Sequence, residues 1–265
     1  GAISFYFLPI KDMGLTDELY IKMNSRGKPL TQFEHFKAEL ERNLKEINPE
    51  RAKVIMSKID INWTDMLWMY RGDDNVIDDE FLRYFKFICD IICYHEGGSP
   101  QGRSYDEFFL LNKYFSKDVE NIESHIDTLE QYFDCWCSLE NGLTPKCFLE
   151  QFISDNHEPG KIQFRGDIDI FADCLNSFAE STGRNRRFPL NRVVILYAII
   201  SYLLHKEEKG ISCEQFARRL RIVNNLVRNS EDEVSDSELR SSGNRLPAIL
   251  NQVDSIIIDG NVDKA

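Results

Sequence analysis

The chain has 265 residues, which is long enough for one large domain or two ordinary ones with a substantial core. Hydrophobic residues make up 42% of it and charged residues 29%, and this composition excludes an intrinsically disordered chain. The net charge of -12 opposes nonspecific binding of nucleic-acid phosphates by the body as a whole, although a local basic patch remains compatible with such binding.

The N-terminal part begins with one predicted strand. Residues 3–10, "ISFYFLPI", are rich in aromatic and β-branched types. A short helix over 16–23 and a longer one over 31–47 follow, and Thr31 with Glu34 forms a capping-box pattern at the start of the longer helix. Because a lone strand cannot complete its own hydrogen-bond ladder, we expect this chain to be a piece of a longer protein.

Nearly all of the remaining sequence has helical patterns. Asn48 followed by proline opens one helix, and Ser212 with Gln215 forms a second capping box. The run "VVILYAIISYLL", residues 193–204, is too short to cross a bilayer and predicts a fully buried core helix, so we expect no membrane partner. The helices are predicted at about 48–70, 78–95, 105–115, 118–139, 144–154, 167–181, 188–208, 212–229 and 235–255. The predicted fold class is therefore mainly α, a multi-helix globular domain with a short N-terminal β-strand remnant.

The cysteines predict a reducing compartment and no metal site. Their number, 7, is odd, no secretory signal opens the chain, and most of them lie within apolar helical patterns. We therefore expect reduced, buried thiols in a cytoplasmic protein. Cys89 and Cys93 are spaced to share a helix face, but no second Cys or His pair with zinc spacing accompanies them, so no metal ligands are predicted.

Two further segments contain residues that suit a chemical role. His157, in "DNHEPG", resembles the opening of some HNH-type nuclease motifs, but the downstream Asn and His of such a site are missing, so nuclease chemistry is the least favoured hypothesis. The segment "GRNRR" places Arg184, Arg186 and Arg187 just before a predicted helix, where cations and N-terminal amides suit an anion. A solvated loop is the alternative for this patch, and it is the favoured one.

The polar loop "NSRGK", residues 24–28, is the strongest candidate site. Gly27 suits a left-handed helix C-cap, and the following proline and Thr31 stop one helix and start the next. These signals do not require Asn24, Ser25, Arg26 or Lys28, whose polar groups and two cations suit an anion or phosphate contact. A simple turn between two helices remains the alternative.

The stretch "ELYIKMNSRGKPLTQFEHFKAEL", residues 18–40, resembles the second signature of the GmrSD restriction endonuclease N-terminal domain family. In that signature a helix ends in Asn, and a small polar residue, Arg, Gly, a spacer and Pro-Leu follow before the next helix. The segment "RLRIVNNLVRNSEDEV", residues 219–234, is similar to part of the helical region that follows that domain. The positions of the signature that match are Asn24, Arg26, Gly27, Pro29, Leu30, Thr31 and Lys37.

The resemblance implies an organisation in three parts. Residues 1–47 would be the C-terminal remnant of a ParB/sulfiredoxin-like α/β domain with the polar loop, 48–160 a helical region, and 161–265 a second helical region packed with the first. The family's other motif, DGQQR, occurs nowhere in the chain, and neither does a complete HNH site. Catalysis by this fragment alone is therefore not expected.

The function implied is that of a helical binding or coupling module in a bacterial restriction or phage-defence protein. Its partner would be a missing N-terminal domain of the same protein that binds a nucleoside triphosphate, and DNA would be a partner of the full-length protein. No cofactor is expected in this fragment, and the ligand contacts would come from Asn24, Ser25, Arg26, Gly27, Lys28 and Lys37. The alternative is a purely structural or protein-interaction helical domain without a ligand.

Overall fold

The structure, a computed structural model, describes residues 30–73, 75–100, 106–164, 168–182, 185–186, 188–229 and 245–261. The fold class is mainly α, as the sequence predicts. The predicted N-terminal strand and the helix over 16–23 lie outside the described residues.

The first group of helices ends at Cys137. A π-helical turn at Ile59–Trp63 joins α2 to α3, where the sequence predicted one helix over 48–70. The helices are α1 (Gln32–Ile47), α2 (Pro49–Lys58), α3 (Thr64–Trp68), α4 (Asp78–His95), α5 (Glu107–Tyr114) and α6 (Ile122–Cys137).

The second group contains short strands as well as helices. The helices are α7 (Pro145–Leu149), α8 (Ile170–Ser177), α9 (Leu190–Lys209), α10 (Cys213–Asn229) and α11 (Leu246–Ile257). A parallel pair joins β1 (Ile153–Ser154) to β2 (Ile162–Gln163), and an antiparallel pair joins β3 (Ser181–Thr182) to β4 (Asn185–Arg186). The helix predicted at 235–255 is seen as α11, and the residues before 245 are outside the described part.

Local capping explains where several helices start. At α1 the Glu34 main-chain N–H donates to Thr31 Oγ1 at 3.2 Å, and the Thr31 N–H donates to Glu34 Oε2 at 2.7 Å. The Asn48 side chain accepts from the N–H of Arg51 at 3.1 Å, with proline as the first residue of α2. Both starts are confirmed, because side-chain oxygens satisfy N–H groups that have no partner within the helix.

The predicted helix over 144–154 is wrong beyond Leu149. There the main chain turns and enters β1 instead. The Ile162 N–H donates to the Phe152 carbonyl at 2.8 Å, and the Phe164 N–H donates to the Ser154 carbonyl at 2.9 Å. Pairing with β2 therefore overrides the local helical spacing over these residues.

The core is built around α4, which contacts α1, α5, α6, α8 and α11. Phe81 on α4 is its aromatic centre, with ring centroids 4.7 Å from Phe33, 6.4 Å from Trp63 and 4.9 Å from Phe133. Such ring pairs add to the free energy gained by burying their apolar area. Buried residues of 48–160 and of 161–265 belong to one continuous hydrophobic cluster.

A ladder of ion pairs joins α2 to α6 at the surface. Lys58 Nζ lies 2.5 Å from Glu130 Oε1 and from Asp134 Oδ2, and Arg51 reaches Glu130 and, at 2.9 Å, Glu123. The Asp134 carboxylate also accepts from the indole N–H of the neighbouring core tryptophan at 2.8 Å. The acidic face of α6 is thus compensated locally, and the ladder fixes the position of α2 over the core.

The cysteines divide into a buried and an exposed group, and no disulfide joins any of the seven. Cys89, Cys93, Cys135 and Cys174 are buried, and Cys137, Cys147 and Cys213 are exposed. Burial raises the pKa of the buried thiols, and burial together with Asp134 raises the pKa of Cys137 to about 12. Since the thiolate is the reactive form, only two cysteines combine exposure with an unhindered thiol.

We expect Cys147 and Cys213 to react first with a disulfide reagent at pH 8, and the other thiols to react only as the protein opens. The measurement is thiol titration with Ellman's reagent in native buffer and in guanidinium. Replacing both residues by serine should remove the fast phase. Rapid native reaction of the thiols on α4 would contradict the packing described here.

A polar cleft as the candidate functional site

A cleft of about 410 Å³ lies where β2, the first turns of α9 and the C-terminal half of α10 meet. The size is within the usual range for small-molecule sites. Three side-chain amides, two guanidinium groups and one aromatic ring line it, together with two aliphatic side chains. The lining residues are Gln163, Phe164, Asn191, Arg192, Ile195, Asn224, Val227 and Arg228.

Two arginines of α10 hold the β1–β2 segment against this helix and so form the cleft wall. Arg221 Nη1 donates to the Gly160 carbonyl at 2.5 Å, and Arg228 Nη2 donates to the Gln163 carbonyl at 2.6 Å. Gly160 has a φ of 89°, a conformation that favours glycine, at the turn where its carbonyl meets the arginine. The helix α10 is amphipathic, and these arginines lie outside its buried face.

Asn224 is the unusual residue of the cleft. It follows Phe216 and Leu220 at intervals of four residues, so it shares their buried face on α10, and it is only 7% exposed. No hydrogen bond to its side-chain amide occurs among the residues that the structure describes. Asn224 is a polar lining residue on the otherwise apolar face of α10.

The charges of the cleft leave a local positive surplus. Arg192 pairs with Asp173, and its guanidinium lies 5.3 Å from the centre of the Phe164 ring, so its charge is compensated. Arg228 has no carboxylate partner in the described part of the chain, where its contact is to a carbonyl. The first turn of α9 has no side-chain N-cap, and helix N-termini carry partial positive charge. The cleft therefore suits an anion.

Among the described residues, the lining contains amides, guanidinium groups and apolar groups, but no carboxylate, hydroxyl, thiol, imidazole or amine side chain. Acid–base and nucleophilic catalysis both need such groups within reach of the reacting atoms. The arrangement can orient and bind a ligand by hydrogen bonds and charge. Its chemistry is that of a binding site.

Two clusters of buried polar groups outside the cleft have hydrogen-bond partners. Asp254 on α11 accepts from the Tyr197 hydroxyl at 2.6 Å and from the Ser201 hydroxyl at 2.8 Å, and both donors lie on α9. His125 is held between the Tyr114 carbonyl at 2.9 Å and Glu96 at 3.0 Å. These bonds join neighbouring elements, so we assign both clusters to packing.

The candidate loop residues Asn24, Ser25, Arg26, Gly27 and Lys28 lie outside the described residues. Their hypothesis therefore stays a prediction. Lys37 lies on α1, where its ammonium group forms an ion pair with Asp60 of the π-helical turn. Of the candidate anion patch, Arg184 and Arg187 lie outside the described residues, and only the main chain of Arg186 is described, in β4.

His157 is exposed on the segment between β1 and β2. Within the described ranges, no group of three or more His, Cys, Asp or Glu side chains is arranged to hold a metal ion. Among the same residues, no helix has the length and apolar character needed to cross a bilayer.

The cleft itself was missed by sequence reasoning, although one signal for it was present. Asn224 interrupts an otherwise apolar face of α10 at a position where the 3.6-residue period predicts an apolar side chain. Comparison with protein-family models, with curated proteins and with solved structures finds no match to this chain.

Proposed function

We propose that this chain is a helical binding and coupling module of a GmrSD-like bacterial restriction or phage-defence protein, acting beside a nucleotide-binding domain. The binding role is supported by the cleft, where the Asn224 side chain lies beside an arginine that has no carboxylate partner among the described residues. The GmrSD-like assignment is supported by the resemblance of residues 18–40, and DNA would be a partner of the full-length protein.

The packing of α1 supports the coupling part of the proposal. Phe36 and Leu40 are fully buried, and the Phe36 ring lies 4.7 Å from that of Phe85 on α4. Because α1 follows the polar loop directly and is fixed in the core, a displacement of its first turn would be passed to α4. The ion pair between Lys37 and Asp60 adds a second link, from α1 to the π-helical turn.

In the longer protein, we expect Arg26→Ala to reduce nucleoside-triphosphate hydrolysis by roughly 10²–10³-fold, as removal of one charge-stabilising donor typically does. The measurement is phosphate release at saturating nucleotide. Arg42→Ala is the matched control, since Arg42 is a surface residue of α1 paired with Glu39, and it should leave hydrolysis unchanged. Full hydrolysis by Arg26→Ala would remove the proposed phosphate contact and favour the simple turn.

A further inference from the structure

We propose that the cleft between β2, α9 and α10 binds a small organic oxyanion, a carboxylate or phosphate ester, with Arg228 as its charge partner and Asn224 as a hydrogen-bond donor. This inference rests on the binding role proposed above, but it does not depend on the GmrSD-like assignment. The two oxyanion classes share the chemistry that the cleft offers, which is guanidinium and amide N–H groups directed at acceptor oxygens.

Asn224 is the first reason. Its amide is buried on the apolar face of α10, lines the cleft and has no hydrogen bond within the described residues. An acceptor oxygen in the cleft would satisfy its N–H donors, and the amides of Asn191 and Gln163 lie on the opposite walls.

Charge is the second reason. The described lining residues include no carboxylate that would repel an anion, even though the chain as a whole carries a net charge of -12. Arg228 supplies a guanidinium whose observed contact is a main-chain carbonyl, which leaves donors for a ligand. Arg192 is already neutralised by Asp173, so we assign it to holding the Phe164 wall in place.

Size and shape limit the class of ligand. The volume of about 410 Å³ exceeds the needs of a bare inorganic ion and suits a ligand the size of a mononucleotide or a short dicarboxylate. Ile195 and Val227 supply apolar surface beside the polar groups. An organic ligand with an oxyanion group contacts both the polar and the apolar residues of the lining.

The test is isothermal titration of the full chain with inorganic phosphate, adenosine monophosphate and glutarate, at constant ionic strength set with sodium chloride. We expect at least one of the two organic anions to bind with one-to-one stoichiometry and more tightly than inorganic phosphate. Arg228→Gln and Asn224→Leu should each weaken binding by about tenfold or more, as for loss of one hydrogen bond to a charged group.

Two matched controls separate the cleft from general effects. Arg218→Gln changes an exposed arginine of the same helix that does not line the cleft, and should leave binding unchanged. Asn43→Leu replaces another buried asparagine, whose Nδ2 has no partner in the structure and which lies on α1, away from the cleft. It should also leave binding unchanged.

Stability gives a readout that does not need a ligand. Because Asn224 lies on the apolar face of α10, Asn224→Leu places an apolar side chain beside apolar neighbours, and we expect it to keep the melting temperature of the free chain while it weakens binding. Asn43→Leu should raise the melting temperature without a change in binding. A variant that lost binding through misfolding would instead lower the melting temperature.

The proposal is overturned if neither organic anion binds, if inorganic phosphate binds as tightly as both, or if Asn224→Leu and Arg228→Gln both bind like the parent chain. Its failure is distinguishable from failure of the GmrSD-like assignment. If Arg26→Ala loses hydrolysis but no anion binds to the chain, the GmrSD-like assignment is kept and the cleft is rejected as a binding site. If an anion binds but Arg26→Ala keeps full hydrolysis, the cleft is kept and the proposed phosphate contact of Arg26 is rejected.

Discussion

Phe81→Ala is expected to lower the free energy of unfolding by about 3–5 kcal/mol, the usual range for truncating a fully buried phenylalanine. Phe81 is 0% exposed and has aromatic neighbours on three other elements, the π-helical turn among them. The substitution removes the ring and leaves a cavity that these rigid neighbours cannot fill. The measurement is urea unfolding followed by circular dichroism.

Phe109→Ala is the control, because it makes the same chemical change at a surface position that is 53% exposed. It should change the free energy of unfolding by no more than about 0.5 kcal/mol. Equal losses in the two variants would contradict the central place given to Phe81. Phe81→Leu should recover part of the loss, since leucine refills some of the cavity.

Lys86→Met should be the second strongly destabilising change, lowering the free energy of unfolding by about 3 kcal/mol. Lys86 Nζ lies 3.1 Å from Glu107 Oε2, and the Glu107 carboxylate is only 3% exposed. Removing the ammonium group leaves a buried carboxylate with the Gln32 amide as its remaining side-chain donor. The cost is that of an uncompensated buried charge, and urea unfolding measures it.

The double variant Lys86→Met/Glu107→Leu should be more stable than Lys86→Met alone, because no charge is then left in the interior. Lys53→Met is the surface control. Its pair with Glu50, at 2.7 Å, is solvated on both sides, and its loss should cost less than about 1 kcal/mol. If Lys86→Met lowers the free energy of unfolding by as little as Lys53→Met does, the ion pair of Lys86 with Glu107 does not behave as a buried ion pair.

The stabilisation by the pair of Lys86 and Glu107 depends on pH, and the pKa of Glu107 gives the sign of this dependence. Burial alone would raise the pKa of Glu107, but hydrogen bonds from Gln32, from the main chain and from Lys86 outweigh it and hold the pKa below its usual value. Since the folded pKa is the lower one, the stabilisation is complete above the unfolded pKa of about 4.3 and is lost as the pH falls through the folded pKa. Glu107→Gln should remove this part of the acid sensitivity.

Much of the fold follows from local signals. The capping boxes at Thr31 and Ser212 are both formed, with the Gln215 N–H donating to Ser212 Oγ at 3.2 Å. Within the predicted core run over 193–204, the part of α9 from Val193 to Tyr202 is buried. These features depend on residues within one or two turns of each other, so a reading of neighbouring residues captures them.

The failures share a different cause. Ile153 leaves the predicted helix because it pairs with Ile162, and the π-helical turn inserts Trp63 into the core between Phe81 and Phe133. Both outcomes depend on partners outside the helix itself, Ile162 in the next strand and Phe133 on α6, which local propensity does not contain. A helical period continued over 48–70 has no means of marking where one extra residue must be accommodated.

The candidate site also has features that the sequence shows and features that only the fold shows. The cleft joins β2, the start of α9 and the end of α10, segments that only the tertiary fold brings together. The polarity of Asn224 is visible in the sequence, but its burial is not, since either of two neighbouring asparagines fits an exposed position. The loop hypothesis, based on a resemblance at residues 18–40, stays a prediction.

The aromatic packing around Phe81 also gives the protein an intrinsic optical signal. Of its 3 tryptophans, Trp63 and Trp136 are buried, whereas Trp68 is exposed with the Arg71 guanidinium 4.8 Å from its ring. Indole emission moves to longer wavelength when a buried ring meets water, so unfolding should change the emission of the two buried rings and barely that of the third. Trp63 lies beside Phe81, whereas Trp136 stacks on Phe171, so replacing one of the two by phenylalanine would leave the signal of the other side of the interior.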